Sequence, residues 1–371
     1  IRRKTIGFST NHGELDSMRI FSFRNSLLDY YNVKNVDLKM SIPSVDLIII
    51  PKPQRHFDEL EKYHLDQYIM KGGKVIFLID KLEAKMDSAS KNENFAFPYD
   101  INLDDLLFRY GVRINTDLIQ DNYAATYPIV TNTVAGQPQI MKLPWPFYPI
   151  INQLPNHTIT KNLEAVLLRF ASTIDTVKAT GIKKTPLLFT SQYSRAVNAR
   201  VQVTVNDLRK NLNPEKLNMS YIPVAYLLEG SFTSVFKNRI LPESSQSDLF
   251  LDQGEKTKIL VVSDGDIITN DVNPSSKEPF ELGAYPYMSG VHFGNLDFMM
   301  NALSFMLNEN GIISAKNKEI AIRPLDKVKI ANEKTKWQLI NLLLPILIIN
   351  LLGVLLYYIR KKKYSQFKSD L

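Results

Sequence analysis

Apolar residues fall in two periods over the first hundred positions. Thr5-Ile-Gly-Phe8 is a short strand-like run, and residues 14–31 carry Leu15, Met18, Phe21, Leu27 and Leu28 on an approximate helical stripe. Residues 33–38 read as a second strand. Asp46-Leu-Ile-Ile-Ile50 is almost continuously apolar, the mark of a strand buried on both faces, and Pro51 and Pro53 end it. Residues 58–70 predict a helix that Gly72-Gly73 stops, and Lys74-Val-Ile-Phe-Leu-Ile-Asp80 is a further buried strand. Residues 82–98 are polar and read as a loop. A short helix is expected over 103–110, ended by Gly111. Apolar strands that alternate with amphipathic helices imply an α/β fold, a mostly parallel sheet with helices on both faces.

The pattern then loosens. Residues 123–155 are rich in proline, Pro144-Trp-Pro146 and Pro149 among them, and read as an irregular excursion or a junction between lobes. Strands are expected again at 165–170, 186–190 and 221–228. Lys258-Ile-Leu-Val-Val-Ser-Asp264 is another buried strand, 295–308 a strong helix, and 319–323 a short edge strand. The expected organisation is therefore an α/β domain begun over 1–120, a proline-rich excursion and second lobe over 121–256, and a return to the sheet over 257–324. A linker at 325–338 follows.

Residues 339–359 are uncharged throughout, Leu-Ile-Asn-Leu-Leu-Leu-Pro-Ile-Leu-Ile-Ile-Asn-Leu-Leu-Gly-Val-Leu-Leu-Tyr-Tyr-Ile. As a helix this stretch spans roughly 30 Å, the thickness of a hydrocarbon core. Trp337 at one end and Tyr357 and Tyr358 at the other suit the headgroup region. It is expected to be a transmembrane helix in a lipid bilayer. The basic tail 360–371 begins Arg360-Lys-Lys-Lys363, denser in charge than the preceding segment. This predicts a cytoplasmic C-terminus and a bulk outside the cytoplasm. Asn341 and Asn350 are polar groups within the helix and, with Gly353, are candidates for packing against a neighbouring helix. The two asparagines lie on opposite faces. The abrupt start at Ile1 reads as part of a longer protein whose N-terminal portion is absent.

Composition removes several chemistries. The chain has no cysteine, so disulfides, thiolate metal sites and cysteine nucleophiles are excluded. Five histidines without His-Glu-x-x-His spacing argue against a catalytic zinc, and no metal or cofactor is expected. The net charge of +7 gathers largely at the two ends, which gives no reason to expect a nucleic-acid partner. Neither a phosphate-loop frame nor Gly-x-Gly-x-x-Gly nor Gly-x-Ser-x-Gly is present, so any ATPase is expected on another chain.

In open parallel sheets, ligands bind beyond the carboxyl ends of the strands. Three polar groups fall there: Ser9-Thr-Asn-His-Gly-Glu14, Asp80, and Ser263-Asp-Gly-Asp266 continuing to Asn270-Asp271. His12, Glu14, Asp80, Asp264 and Asp266 are therefore candidate ligand-binding residues, with Trp145 and Tyr148 as candidate pocket walls. Each has a structural alternative. Asn11-His-Gly13 can be a turn, and Asp264-Gly-Asp266 a strand-to-helix turn with a capping carboxylate. A solute-binding protein for a sugar or peptide would need a concave pocket here. A carboxylate- or metal-dependent hydrolase would need Asp264 and Asp266 to converge with His12 or Asp80.

Four stretches, read in order, carry a resemblance: Ile6-Gly-Phe-Ser-Thr-Asn-His-Gly-Glu-Leu15, Leu65-Asp-Gln-Tyr-Ile-Met-Lys-Gly-Gly-Lys-Val-Ile-Phe-Leu-Ile-Asp80, Val261-Val-Ser-Asp-Gly-Asp-Ile-Ile268 and Gly294-Asn-Leu-Asp-Phe-Met-Met-Asn-Ala-Leu303. With the terminal apolar helix, they resemble the GldG family, auxiliary components of bacterial ABC transporters linked to gliding motility in Bacteroidota. The resemblance implies an inner-membrane protein with a periplasmic domain of the class I glutamine-amidotransferase-like, flavodoxin-like type. It implies a separate ABC permease and a separate ATPase as partners, and an association with gliding and type IX secretion machinery. It supplies no catalytic residues, and the chain is expected not to be an enzyme.

Overall fold

The computed structural model describes residues 2–86, 95–134, 137–205, 208, 214–243, 249–288, 290–308 and 327–365. The chain forms two compact units, 1–323 and 324–371.

The first unit is built on a seven-stranded sheet. Its strands are β1 (Thr5–Thr10), β2 (Asn32–Asp37), β3 (Leu47–Pro51), β4 (Lys74–Leu78), β5 (Ile182–Phe189), β6 (Pro223–Thr233) and β7 (Gln253–Val262), in the order β5-β6-β7-β4-β3-β1-β2. β2, β1, β3, β4 and β7 run parallel, whereas β6 pairs antiparallel with β7 and with β5. Four of the helices are α1 (Phe21–Leu28), α2 (Glu59–Met70), α3 (Asp104–Tyr110) and α4 (Asn295–Met306).

Alternate strand residues point to opposite faces, so each strand feeds two cores. Leu47 and Ile49 of β3, with Leu260 and Val262 of β7, join Phe23 and Leu27 of α1 and Phe298, Met299 and Leu303 of α4 in one. Ile48 and Ile50, with Ile259 and Val261, join Leu65 and Ile69 of α2 and Leu106 and Tyr110 of α3 in the other. The α/β expectation therefore holds as a mixed fold whose sheet is largely parallel.

Helix boundaries follow local chemistry. Asp58 accepts a hydrogen bond from the Glu61 N–H at 2.8 Å, and the Glu61 carboxylate accepts one from the Asp58 N–H at 2.8 Å, closing a capping box on α2. α1 is shorter than the stripe over 14–31 predicts. Glu14 turns back to accept from the His12 N–H and from Ser9 Oγ, and this ties the preceding segment into a loop.

The stretch 121–256 departs most from expectation. Its proline-rich part is no irregular excursion: strands Ala124–Val134 and Gln137–Ile151 form a long antiparallel hairpin. Register shifts interrupt the ladder between Gln139 and Ile140 and between Pro144 and Pro149, the second where prolines cannot donate. The stretch is not a separate lobe throughout either, because it supplies β5 and β6 to the main sheet. A third core, holding Trp145, Phe147, Tyr148, Phe170, Tyr285 and Phe293, packs on the hairpin. In the polar 82–98 segment, strand Leu82–Glu83 pairs with Phe95–Pro98. The edge strand expected at 319–323 lies outside the described residues.

The described residues of the second unit form the helix α5 (Lys327–Ser365), which includes Pro345. The helix begins well before 339, so most of the expected linker is helical. Within it, Glu333–Lys361 is long and apolar enough to cross a membrane. Asn350 Nδ2 donates to the Ile346 carbonyl at 2.9 Å. Pro345 has no N–H, so the carbonyl of Asn341, one turn back, lacks its helical donor.

Candidate functional site

The carboxyl ends of the strands deliver the charged residues. β3 runs into Lys52, held at φ +55° between Pro51 and Pro53. β4 leads to Asp80, and β7 to Asp264 and Asp266. Lys52 Nζ stands 2.8 Å from Asp80 Oδ2 and 2.5 Å from Asp266 Oδ2. Backbone groups hold the carboxylates in place. Asp80 Oδ1 accepts from the Gly265 N–H at 2.5 Å. Asp264 accepts from the Asp266 N–H at 2.7 Å, capping the 3₁₀ turn Gly265–Ile268, and from the Arg169 N–H at 2.5 Å.

Asp80, Asp264 and Asp266 offer ligand oxygens within 4.8 Å of one another, a spacing that suits a hard cation. The Lys52 ammonium supplies the positive charge there instead. Burial alone would lower the pKa of Lys52, but Asp266 and Asp80 outweigh it and raise the value, so Lys52 stays charged. Burial pushes Asp80 up to about 6 against the pull of Lys52. Asp264 is driven well above the carboxylate range by burial and by the neighbouring Asp80 and Asp266. Asp266 is held below its ordinary value, because Lys52 outweighs its burial. The cluster is thus a largely compensated ion pair beside a carboxyl group whose ionisation burial and its acidic neighbours disfavour.

His12 belongs to a different cluster. Its Nε2 lies 3.0 Å from Glu61 Oε2 and its Nδ1 3.4 Å from Glu14 Oε1. The ring stacks parallel on Phe57 with centroids 3.7 Å apart and is 2% exposed. Burial disfavours the imidazolium, yet Glu14 and Glu61 more than offset this and raise the pKa above 6.5. His12 therefore clamps the loop after β1 to the first turn of α2.

Beyond the strand ends lies a cleft of about 540 Å³. Of the expected residues, Glu14, Asp266, Asp271 and Tyr148 line it. His12, Asp80 and Asp264 lie beneath or beside it, fully buried. Trp145 does not line it: fully buried, it packs edge-on to Phe147 with ring centroids 5.3 Å apart. Trp145 is enclosed in the third core, whereas Tyr127 and Tyr148, which also pack in that core, reach the cleft.

Sequence reasoning missed Lys52, Arg169 and, apart from Tyr148, the tyrosines of the wall: Tyr127, Tyr285 and Tyr287. Arg169 donates to both oxygens of Asp271, at 2.9 and 2.7 Å, and its guanidinium lies over Tyr148 and Tyr285 at 5.5 and 5.7 Å. Burial lowers the pKa of Arg169, and Asp271 raises it by more. The available signals were slight: a lysine bracketed by prolines at the end of a buried strand, and an arginine directly after Val166-Leu-Leu168.

Fold and site together define a mixed α/β domain with a charged and aromatic cleft at its strand ends, in a chain that also carries a helix apolar enough to cross a membrane. The chain belongs to the family described as an ABC-type uncharacterized transport system, whose model matches residues 3–302, and is thus an auxiliary component of such a system. No curated protein matches it. Among solved structures it is similar to the mmIFT52 N-terminal domain, at 14% identity and a TM-score of 0.46, covering 83% of this chain and 99% of that one. It is also similar to a ThuA-like protein from Parabacteroides merdae ATCC 43184, at 9% identity and a TM-score of 0.37, covering 82% and 90%.

Proposed function

We propose that this protein is a non-catalytic, membrane-anchored accessory subunit that works by binding, with a separate permease and a separate ATPase as its partners. In this reading the α/β unit has the class I glutamine-amidotransferase-like topology and lies on the periplasmic side of a bacterial inner membrane. The helix Glu333–Lys361 is the anchor, with the basic residues after it in the cytoplasm. The resemblance to the GldG family extends the proposal to gliding motility and type IX secretion in Bacteroidota.

One observation carries the choice of binding over catalysis. The charged groups at the strand ends are spent on one another: Lys52 bridges Asp80 and Asp266, Asp264 caps a turn, and His12 is closed between two glutamates. A hydrolase with Asp264 and Asp266 as its working pair needs a carboxylate free to take a proton or hold a metal, and the capping role of Asp264 argues against it. A solute-binding protein acting without the transporter is the second reading, favoured by the cleft of about 540 Å³.

The test is purification of the full chain from its native membrane in mild detergent, with mass spectrometry of whatever accompanies it. A polytopic permease and a Walker-type ATPase in the eluate support the accessory subunit. Recovery of the chain with a small molecule alone moves the solute-binding reading to the front.

A further inference from the structure

We propose that the cleft binds a neutral, polyhydroxylated ligand, a saccharide, rather than an anion or a peptide terminus. The inference rests on the binding role argued above and names its ligand class.

The first observation is charge balance. Four cationic and four acidic side chains line the cleft, so it presents no net charge to draw in an ion. The second is how those charges are used. Both terminal nitrogens of Arg169 donate to Asp271, and Lys52 Nζ contacts Asp80 and Asp266. At either of these two cations an entering phosphate or carboxylate would have to displace a partly or fully buried carboxylate, which leaves an uncompensated charge behind. A hydroxyl group meets no such obstacle, since it donates and accepts at once. One hydroxyl can give its proton to a spare lone pair of Asp271 or Asp266 while taking an N–H from the paired cation. The ion pair survives, and adjacent hydroxyls on a ring can repeat the contact.

The third observation is the aromatic wall beside the Arg169–Asp271 pair. Tyr127 and Tyr287 meet edge to face with centroids 5.3 Å apart, and Tyr287 meets Tyr285 at 5.4 Å. Tyr127 is half-buried and Tyr287 is 36% exposed at the rim. Aromatic faces beside paired polar groups suit a sugar ring, which has an apolar C–H face and a polar edge.

The experiment is a glycan array probed with the full chain in a polyoxyethylene detergent, which has no sugar headgroup. Calorimetry then follows on the best neutral oligosaccharide, on inorganic phosphate and on trialanine. The expected result is saturable binding of a neutral oligosaccharide, and none of phosphate or trialanine. Tyr287→Ala, at the rim, should weaken that binding about tenfold. Absence of glycan binding, tighter binding of phosphate or trialanine, or an unchanged affinity in Tyr287→Ala would overturn the proposal. If the permease and ATPase still co-purify in any of these cases, the ligand class fails and the accessory-subunit reading stands.

Discussion

Lys52 and Asp266, 214 residues apart in the chain, bring Nζ and Oδ2 to 2.5 Å at the floor of the cleft. The contact fastens the end of β3 to the turn after β7, and Asp80 at the end of β4 shares the same ammonium. Removing the lysine leaves buried carboxylates without their cation. Lys52→Met is expected to lower the unfolding free energy by about 3–5 kcal/mol, the cost of breaking a buried pair from one side. Urea denaturation of both proteins measures it. A loss well under 1 kcal/mol would mean that the carboxylates find other compensation.

His12 makes stability depend on pH at the alkaline end. Its folded-state pKa lies above 6.5, because Glu14 and Glu61 outweigh burial. Its contribution is therefore fully present below pH 6.5 and is lost as pH rises through the folded value. The urea midpoint should decline over that interval in the wild type, and His12→Gln should flatten this part of the profile. A parallel decline in the variant would remove His12 as the cause.

Asp121 acts at the acid end, by a different route. Among the described residues no cation is paired with it; its carboxylate accepts from the Ser191 N–H, Ser191 Oγ and the Tyr123 N–H. Burial outweighs these bonds and lifts its pKa from 3.8 to about 6. The folded state then holds this proton more tightly than the unfolded chain does. Stability falls as pH rises from 3.8 to 6, by about 2–3 kcal/mol for a shift of that size. Asp121→Asn should lose that slope, and thermal melts across the interval would show it.

The anchor is tested by fractionation. The full chain should stay with membranes through alkaline carbonate extraction, whereas a chain ended after residue 332, before the apolar span, should move to the supernatant. A reporter active only in the cytoplasm, fused after Leu371, should be active if the Arg360-Lys-Lys-Lys363 cluster sets the orientation.

The sheet was legible where burial on both faces wrote an apolar run, as in Leu47-Ile-Ile-Ile50 and Ile259-Leu-Val-Val262. The hairpin around Trp145 was not, because its prolines mask an alternating pattern that only the register shifts reconcile. Asp80, Asp264 and Asp266 could be gathered from topology, since strand ends in a parallel sheet converge on one edge. Their cation could not. Lys52 follows a strand and sits between prolines, which describes a loop lysine equally well, and only the fold sets it beside two aspartates. Arg169 shares this character: its partner Asp271 lies 102 residues away, and no local spacing connects them.

The placement of β7 has a consequence for how the chain is made. It enters the middle of the sheet beside β4, Val75 opposite Ile259, although nearly two hundred residues separate them. A ribosome releases Val75-Ile-Phe-Leu78 long before its neighbour exists. Through that interval one edge of a strand apolar from Val75 to Leu78 has no β7 to pair with, the kind of edge that recruits foreign strands. A chain cut before residue 253 keeps that gap open, so an amino-terminal fragment should precipitate where the finished protein does not.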